Sequence, residues 1–520
     1  MVTGNNTAEY PRAAYVSFVT KGGGNRFHGE AEYWHQNSAL SARDFFAAAK
    51  PKVLFHTMSA EFSGPIRKDK TFFFFAWMGQ RWPASSFYLR TVPTNSMRQG
   101  DFSQLLSLSN PVVIRDPTTG SAFQGNVIPA NRLNATSLQV LQKYLPAPNL
   151  GSSGALTNNF GFLFPRPTDL YSINGFEERI DHRLSEKNTI YGRLLQDKPL
   201  YVIGGNYQAL TRTRVRSNFS MIIQDTHIFS PNLVNTARFG LYRPNLSDGG
   251  TLDGVTPLRG DEVVRELGIQ GVNPKNLSVM GFPVMNITGY TPLLIQPGGD
   301  VRFHGWDFAD SLTWGKGRHV VKLGFEFRPQ SNFTSVVPEG SFGSFDFTGS
   351  YTQNAFADFL LGLPFSSSRL DPLINRTQLG NELGLYVQDT FKVASRVTLD
   401  LGLRWDRFGS ATYDDGFVYN WDSTTGNVLV PSSALGAVSP LYASRIKVVA
   451  GPARQNPSLR NFTPRIGIAY RPFGDRFVMR GGYGIFTETL GAFARAQGGG
   501  PYEITETFFN SIQNGQPLFS

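Results

Sequence analysis

An all-β fold, an antiparallel barrel that crosses a membrane with its strands, is predicted by three observations in this 520-residue chain. First, short polar turns at Arg67-Lys68-Asp69-Lys70, Ser185-Glu186-Lys187-Asn188, Ser230-Pro231-Asn232, Gly315-Lys316-Gly317-Arg318, Val393-Ala394-Ser395-Arg396 and Phe473-Gly474-Asp475 alternate with much longer irregular stretches. Outer-membrane barrels have this asymmetry, with tight turns on the periplasmic side and long loops outside. Second, the segments flanking the turns alternate apolar and polar residues, as in Val397 to Asp406, where every odd position is apolar. Side chains on a strand point to opposite faces with period two, so one face meets lipid and the other an aqueous or protein-filled lumen. Third, the longest apolar run, Phe72 to Met78, falls far short of the roughly 18 residues a spanning helix needs.

Taken in order, a first strand at about Phe27 to His35 enters a loop at 37–54, and a second descends to the Arg67 turn. Paired strands follow near 170–198, 216–243, 301–329, 378–408 and 462–488, about 13 strands in all. Two of them repeat the alternation clearly: Val321, Leu323, Phe325 and Phe327 oppose Lys322, Gly324, Glu326 and Arg328, and Phe462 to Arg471 does the same. Bacterial single-chain barrels have even strand numbers, so an odd count predicts a partial barrel, a fragment unable by itself to form a heat-resistant, membrane-inserted barrel. Between the hairpins, 83–169 is the longest loop and carries one helix near Ala135 to Tyr144, ended by Pro146. Further loops run at about 244–300, 330–377 and 409–460, and long ordered loops are where ligand contact is expected.

Soluble sandwiches also alternate, but they place turn signals every 8 to 12 residues or so and mix connection lengths without this strict order. A soluble β-rich binding protein is therefore the weaker reading. The 49 Lys+Arg against 39 Asp+Glu give +10, yet the basic residues are dispersed, without the dense run that nucleic-acid binding favours. No nucleic-acid partner is expected. Zero cysteines exclude disulfides and thiolate metal sites. The first residues, Met1-Val2-Thr3-Gly4-Asn5-Asn6, lack the order of a signal peptide, so an exported protein is expected to start upstream.

No catalytic constellation is found, and the expectation is a protein that is not an enzyme and carries no cofactor. The seven histidines show no metal-ligand spacing, and His28 and His35 fall on opposite faces of a strand. No nucleophile elbow, phosphate-binding loop or dinucleotide fingerprint is present. Gly481-Gly482-Tyr483-Gly484 lies inside an alternating strand, where glycines permit curvature or close approach.

Several segments, in order, resemble the TonB-dependent receptors, specifically the Oar-like branch whose full-length members carry a carboxypeptidase-regulatory-like N-terminal domain. Val19 to Gly29 looks like the passage from plug domain to first barrel strand, and Ser41-Ala42-Arg43-Asp44-Phe45-Phe46 and Gly64 to Phe74 like the first outer loop and hairpin. Arg98 to Ser103, Asn126 to Pro129, Ala357 to Gly362 and Asn461 to Gly467 are similar to later landmarks. The resemblance implies a receptor of the Gram-negative outer membrane, with residues 1–26 the C-terminal end of the plug and 27–520 a partial barrel holding about 13 of the roughly 22 strands of the family's full barrel. It also implies outer-membrane lipid as surroundings, coupling to the TonB complex through a region not in this sequence, and an extracellular ligand. Siderophore, vitamin, glycan and protein all remain open, as does a structural or adhesive barrel without uptake.

Alternation alone nominates Lys322, Glu326, Asp400, Arg404, Arg465 and Arg480 as lumen-facing residues that hold the plug or line a path, because a charge on the lipid face is costly. Trp306, Trp314, Tyr386 and Trp405 suit the aromatic girdles at the membrane interfaces, whereas Tyr242, Phe282 and Tyr290, read as loop residues, are candidates for ligand contact.

Overall fold

A computed structural model describes residues 2–518 except 4–6, 13, 16–18, 43–52, 153, 167–170, 253–255, 273–280, 296–297, 372, 374, 454–456, 489–498 and 514–515. The Arg43-Asp44-Phe45-Phe46 part of the first-loop motif lies outside the described residues.

The alternating segments form one antiparallel meander. Its long strands are β1 (His28–Asn37), β2 (Leu54–Arg67), β3 (Thr71–Arg81), β4 (Tyr171–Ser185), β5 (Asn188–Asp197), β6 (Thr211–Ser230), β7 (Leu233–Thr251), β8 (Gly299–Lys316), β9 (His319–Thr334), β10 (Arg376–Ala394), β11 (Val397–Phe408), β12 (Phe462–Tyr470) and β13 (Met479–Gly484). Each pairs with the next, and Leu200–Ile203 resumes the line of β5 after Lys198-Pro199, because proline cannot donate to the ladder. The six short turns therefore share one rim and the long connections the other.

Burial is inverted relative to a water-soluble sheet. On β11, Leu401 and Leu403 are 41% and 43% exposed while Arg404 and Asp406 on the opposite face are each 2% exposed. The same holds on β9, where Leu323, Phe325 and Phe327 are exposed and Glu326 is buried, and on β12, where Ile466 and Ile468 are exposed and Arg465 is buried. In water this would waste the hydrophobic effect; with hydrocarbon outside, it removes the cost of charges in lipid.

Strands β6 and β10, with 20 and 19 residues, are about twice the 9–11 residues needed to cross a bilayer. The sequence reading ended several strands too early: 216–243 is in fact Thr211–Thr251, because polar alternation beyond the membrane is weaker than within it. On this extension the loops build their own core. The segment 83–169, read as irregular apart from one helix, contains an antiparallel pair of Ala84–Arg90 with Phe160–Arg166 as well as the expected helix at Ala135–Lys143. Strands Val284–Ile287 and Ser344–Phe347 pair in parallel beside a helix at Ala355–Leu360.

Phe102, Ile114, Ile128, Val140, Tyr207, Phe356 and Phe359 from these separate loops join one buried cluster. Asn126, 2% exposed, holds it: its Oδ1 accepts from Ile114 N at 2.6 Å and its Nδ2 donates to Phe102 O at 2.9 Å and Val112 O at 3.0 Å. Asp358 is buried too, accepting from Thr352 N and Oγ1 at 2.9 and 2.6 Å, and burial pushes its carboxyl above the ordinary range against those hydrogen bonds. Three segments that the resemblance singled out, at 98–103, 126–129 and 357–362, thus meet in packing.

Candidate functional site

The polar face of β9 to β12 grips the N-terminal segment. Lys322 Nζ donates to Glu9 Oε2 at 2.5 Å, Arg404 Nη1 donates to Glu9 O at 2.7 Å, and Arg465 donates to Thr7 O. Gln388 Oε1 accepts from Ala8 N at 2.9 Å, and Ala8 is fully buried. These four side chains share a face by register: Lys322 lies opposite Gln388, Gln388 opposite Gly402, and Gly402 opposite Arg465.

Glycines make room for the grip. A Cβ at Gly384 would fall 2.0 Å from Arg404 Nη2, and one at Gly402 would fall 2.4 Å from Gln388 Oε1 and 3.0 Å from Ala8 Cβ. The guanidinium and the segment occupy that space, so close approach requires residues without a side chain there.

Behind the contacts stands a charge network. Arg404 donates to Asp406 at 2.8 Å and to Glu326 at 3.4 Å, while Glu326 also pairs with Arg328 and, at 3.5 Å, with Arg238. Arg238 reaches Asp307 at 3.0 Å. Partners within hydrogen-bond reach offset the cost of burying these charges, and removal of one member would leave the others uncompensated. A second contact line lies on the early strands: Lys21 pairs with Glu61 at 2.6 Å, Arg179 donates to Thr20 Oγ1 at 2.9 Å, and Asn25 Nδ2 donates to Asp69 at 2.6 Å.

Of the six residues nominated by alternation, Lys322, Arg404 and Arg465 touch the segment directly, and Glu326 touches it through Arg404. Asp400 accepts from Thr390 Oγ1 at 2.6 Å beside them. Arg480 shares the face by register with Ala469 but is exposed and makes none of these bonds. Sequence reasoning missed Glu9, Gln388, Asp406, Asp307 and Arg238. Gln388 and Asp406 sit at the same parity as Arg404, which was a usable signal; nothing local marked Glu9.

The aromatic readings need correction. Tyr242 lies within β7 and not in a loop, half exposed near Phe303. Phe282 is only 3% exposed and packs edge-on against Tyr144, so it presents no surface to a ligand. Tyr290 packs on the loop core and against Phe356, with its hydroxyl toward Met97 Sδ. Tyr386 is mid-strand on the polar face, its ring over Gly324 and beneath Arg404, so it is no girdle residue. Trp306 and Trp314 lie eight residues apart on β8, about 27 Å along the strand and roughly 20 Å along the membrane normal at the usual barrel tilt, toward the two edges of an apolar band.

In the loops, a cleft of about 660 Å³ opens between the helix Ala135–Lys143 and the strand Ser366–Leu370. Thr136, Ser137, Phe345, Phe347, Arg369 and Phe508 line it, with the Arg369 guanidinium 5.5 Å from the Phe508 ring centre. Apolar walls with a few polar groups suit a small or extended ligand.

A family model described as Outer membrane beta barrel domain matches residues 19–520. A search of curated proteins finds no match. Among solved structures, the siderophore receptor PirA from Acinetobacter baumannii aligns over 92% of this chain and 46% of its own at 11% identity, with a TM-score of 0.40. The outer membrane transporter YddB from Escherichia coli aligns over 89% of this chain and 43% of its own at 9% identity, with a TM-score of 0.43. The chain spans slightly under half the length of these two proteins.

Proposed function

The chain belongs to the outer membrane beta barrel domain family, an integral outer-membrane β-barrel, and on that footing we propose that it works as the barrel of a TonB-dependent receptor and transporter. An extracellular ligand binds at the loop canopy, and displacement of the N-terminal segment opens a path along the polar face. In this reading residues 1–26 are the end of the plug and the polar face is the lumen.

The observation that carries the proposal is the grip on residues 7–9. Its contacts are polar, concentrated on one segment, and centred on Arg404, which keeps Asp406 and Glu326 as partners on the barrel when the segment leaves. Lys322 and Arg465 make their contacts to the segment itself, to Glu9 and to Thr7 and Pro11. Such a contact can be undone without unfolding the sheet, unlike an apolar core.

The chain contains no cysteine, so the pair Ala8→Cys with Gln388→Cys gives a unique tether. Planar-bilayer current through a complete barrel that carries this chain, driven open with moderate urea, is expected to be suppressed when the pair is oxidised and restored on reduction. Equal current in both states would remove the gating role. No current in either state would favour the structural or adhesive barrel.

A further inference from the structure

The rim that carries the six short turns is a continuous ledge. Each turn is hydrogen-bonded to the next by backbone: Arg183 N to Lys70 O, Ile228 N to Lys187 O, Gly315 N to Asn232 O, Lys392 N to Arg318 O and Arg471 N to Arg396 O, all between 2.7 and 2.9 Å. Arginine side chains add stitches, with Arg318 Nη1 donating to Val393 O at 3.0 Å and Arg471 Nη2 to Ser395 O at 2.8 Å.

Charge is concentrated on this ledge. Residues 66–71, 183–188, 229–233, 315–319, 392–397 and 471–477 contain eleven Lys and Arg against three Asp and Glu, an excess of eight out of the whole chain's ten. The rest of the chain is close to neutral. Arg67, Lys68, Lys187, Lys316, Arg396 and Arg476 are all exposed. Immediately beside them the apolar face stays exposed, at Ile66, Leu184, Phe229, Val320, Phe473 and Phe477. The Lys316 ammonium sits 5.3 Å from the Trp314 ring centre, so the cation lies at the level of an interfacial tryptophan.

A row of cations bordering an apolar belt matches the boundary between acyl chains and phosphate headgroups. In outer-membrane barrels the short turns face the periplasm, so the bordering leaflet is the periplasmic one. We propose that this rim is a docking surface for anionic phospholipid headgroups of that leaflet, with Lys68, Lys316 and Arg476 among the residues that hold their phosphates. Cations near such a surface each attract anionic lipid, and salt screens the attraction.

The test is the lipid retained by the full chain purified from nanodiscs of mixed phosphatidylglycerol and phosphatidylethanolamine. The expected result is enrichment of phosphatidylglycerol over the bulk ratio by at least about threefold, falling toward the bulk ratio at high salt. The variant K68E/K316E/R476E is expected to lose the enrichment, K68R/K316R/R476K to keep it, and R445E/K447E/R460E, which reverses exposed loop cations, to keep it. Bulk composition around the unsubstituted chain would overturn the proposal without relying on any variant. So would unchanged enrichment in the charge-reversed rim, or loss of enrichment to inorganic phosphate at matched ionic strength, which would assign the cations to a soluble anion.

Discussion

Lys322 and Glu9 form an ion pair at 2.5 Å although 313 residues separate them in the chain. Both side chains are about one-third exposed, so the pair is neither a surface accident nor a deeply buried bridge. A double-mutant cycle with Glu9→Gln and Lys322→Met is expected to show a coupling of roughly 1 kcal/mol. The readout is amide exchange of residues 7–12 in the assembled protein; zero coupling would mean that the backbone bonds from Arg404 and Arg465 hold the segment unaided.

The inside-out burial of β11 predicts opposite outcomes for neighbouring substitutions. Leu401→Lys puts an ammonium on the apolar face and is expected to cost about 2–4 kcal/mol if it lies near mid-bilayer, with loss of heat-resistant assembly on gels of a complete barrel that carries this chain. Arg404→Leu is expected to assemble better than Leu401→Lys yet loosen residues 7–9. If Leu401→Lys is the milder change for assembly, the facing is reversed.

Gly384→Leu should push the Arg404 guanidinium out of the space it fills. The expected phenotype is faster exchange at Ala8 and Glu9 with the sheet intact, because the clash is with the end of a flexible side chain and not with backbone. Failure of the barrel to assemble would show that the position serves the sheet instead.

In the loops, Arg132 donates to both carboxylate oxygens of Asp116, at 2.9 and 3.1 Å. The guanidinium holds that carboxyl down at about 2, below the unfolded value. A depressed carboxylate stabilises the folded loop above its unfolded value near 4, and that stabilisation is lost as pH falls toward 2. Pepsin cleavage around 110–133 is therefore expected to rise over that window by an amount equivalent to roughly 1 kcal/mol, and Asp116→Asn should flatten the dependence.

Phe356 is fully buried where the loops meet. Phe356→Ala is expected to cost about 3–5 kcal/mol of canopy stability, seen as new proteolysis within 90–160 and 340–365. Membrane assembly should persist, since the strand ladder is held by backbone pairing to which Phe356 contributes nothing.

The fold class and the facing of the charged strands were legible in the sequence because a strand has period two and a membrane rewards the pattern over about ten residues. Leu401 and Arg404 carry that message without help from any distant residue, and the six turns fix where each hairpin reverses. The loops carried no such period. Tyr386, Phe282 and Tyr290 took on their roles only when segments far apart in sequence packed together, covering Gly324, Tyr144 and Phe356. Likewise the parity of Arg404 placed it on the polar face, but only the tertiary structure brought Thr7, Ala8 and Glu9 against it. A local pattern determines which side of a sheet a residue occupies; what it meets there depends on chain closure over hundreds of residues.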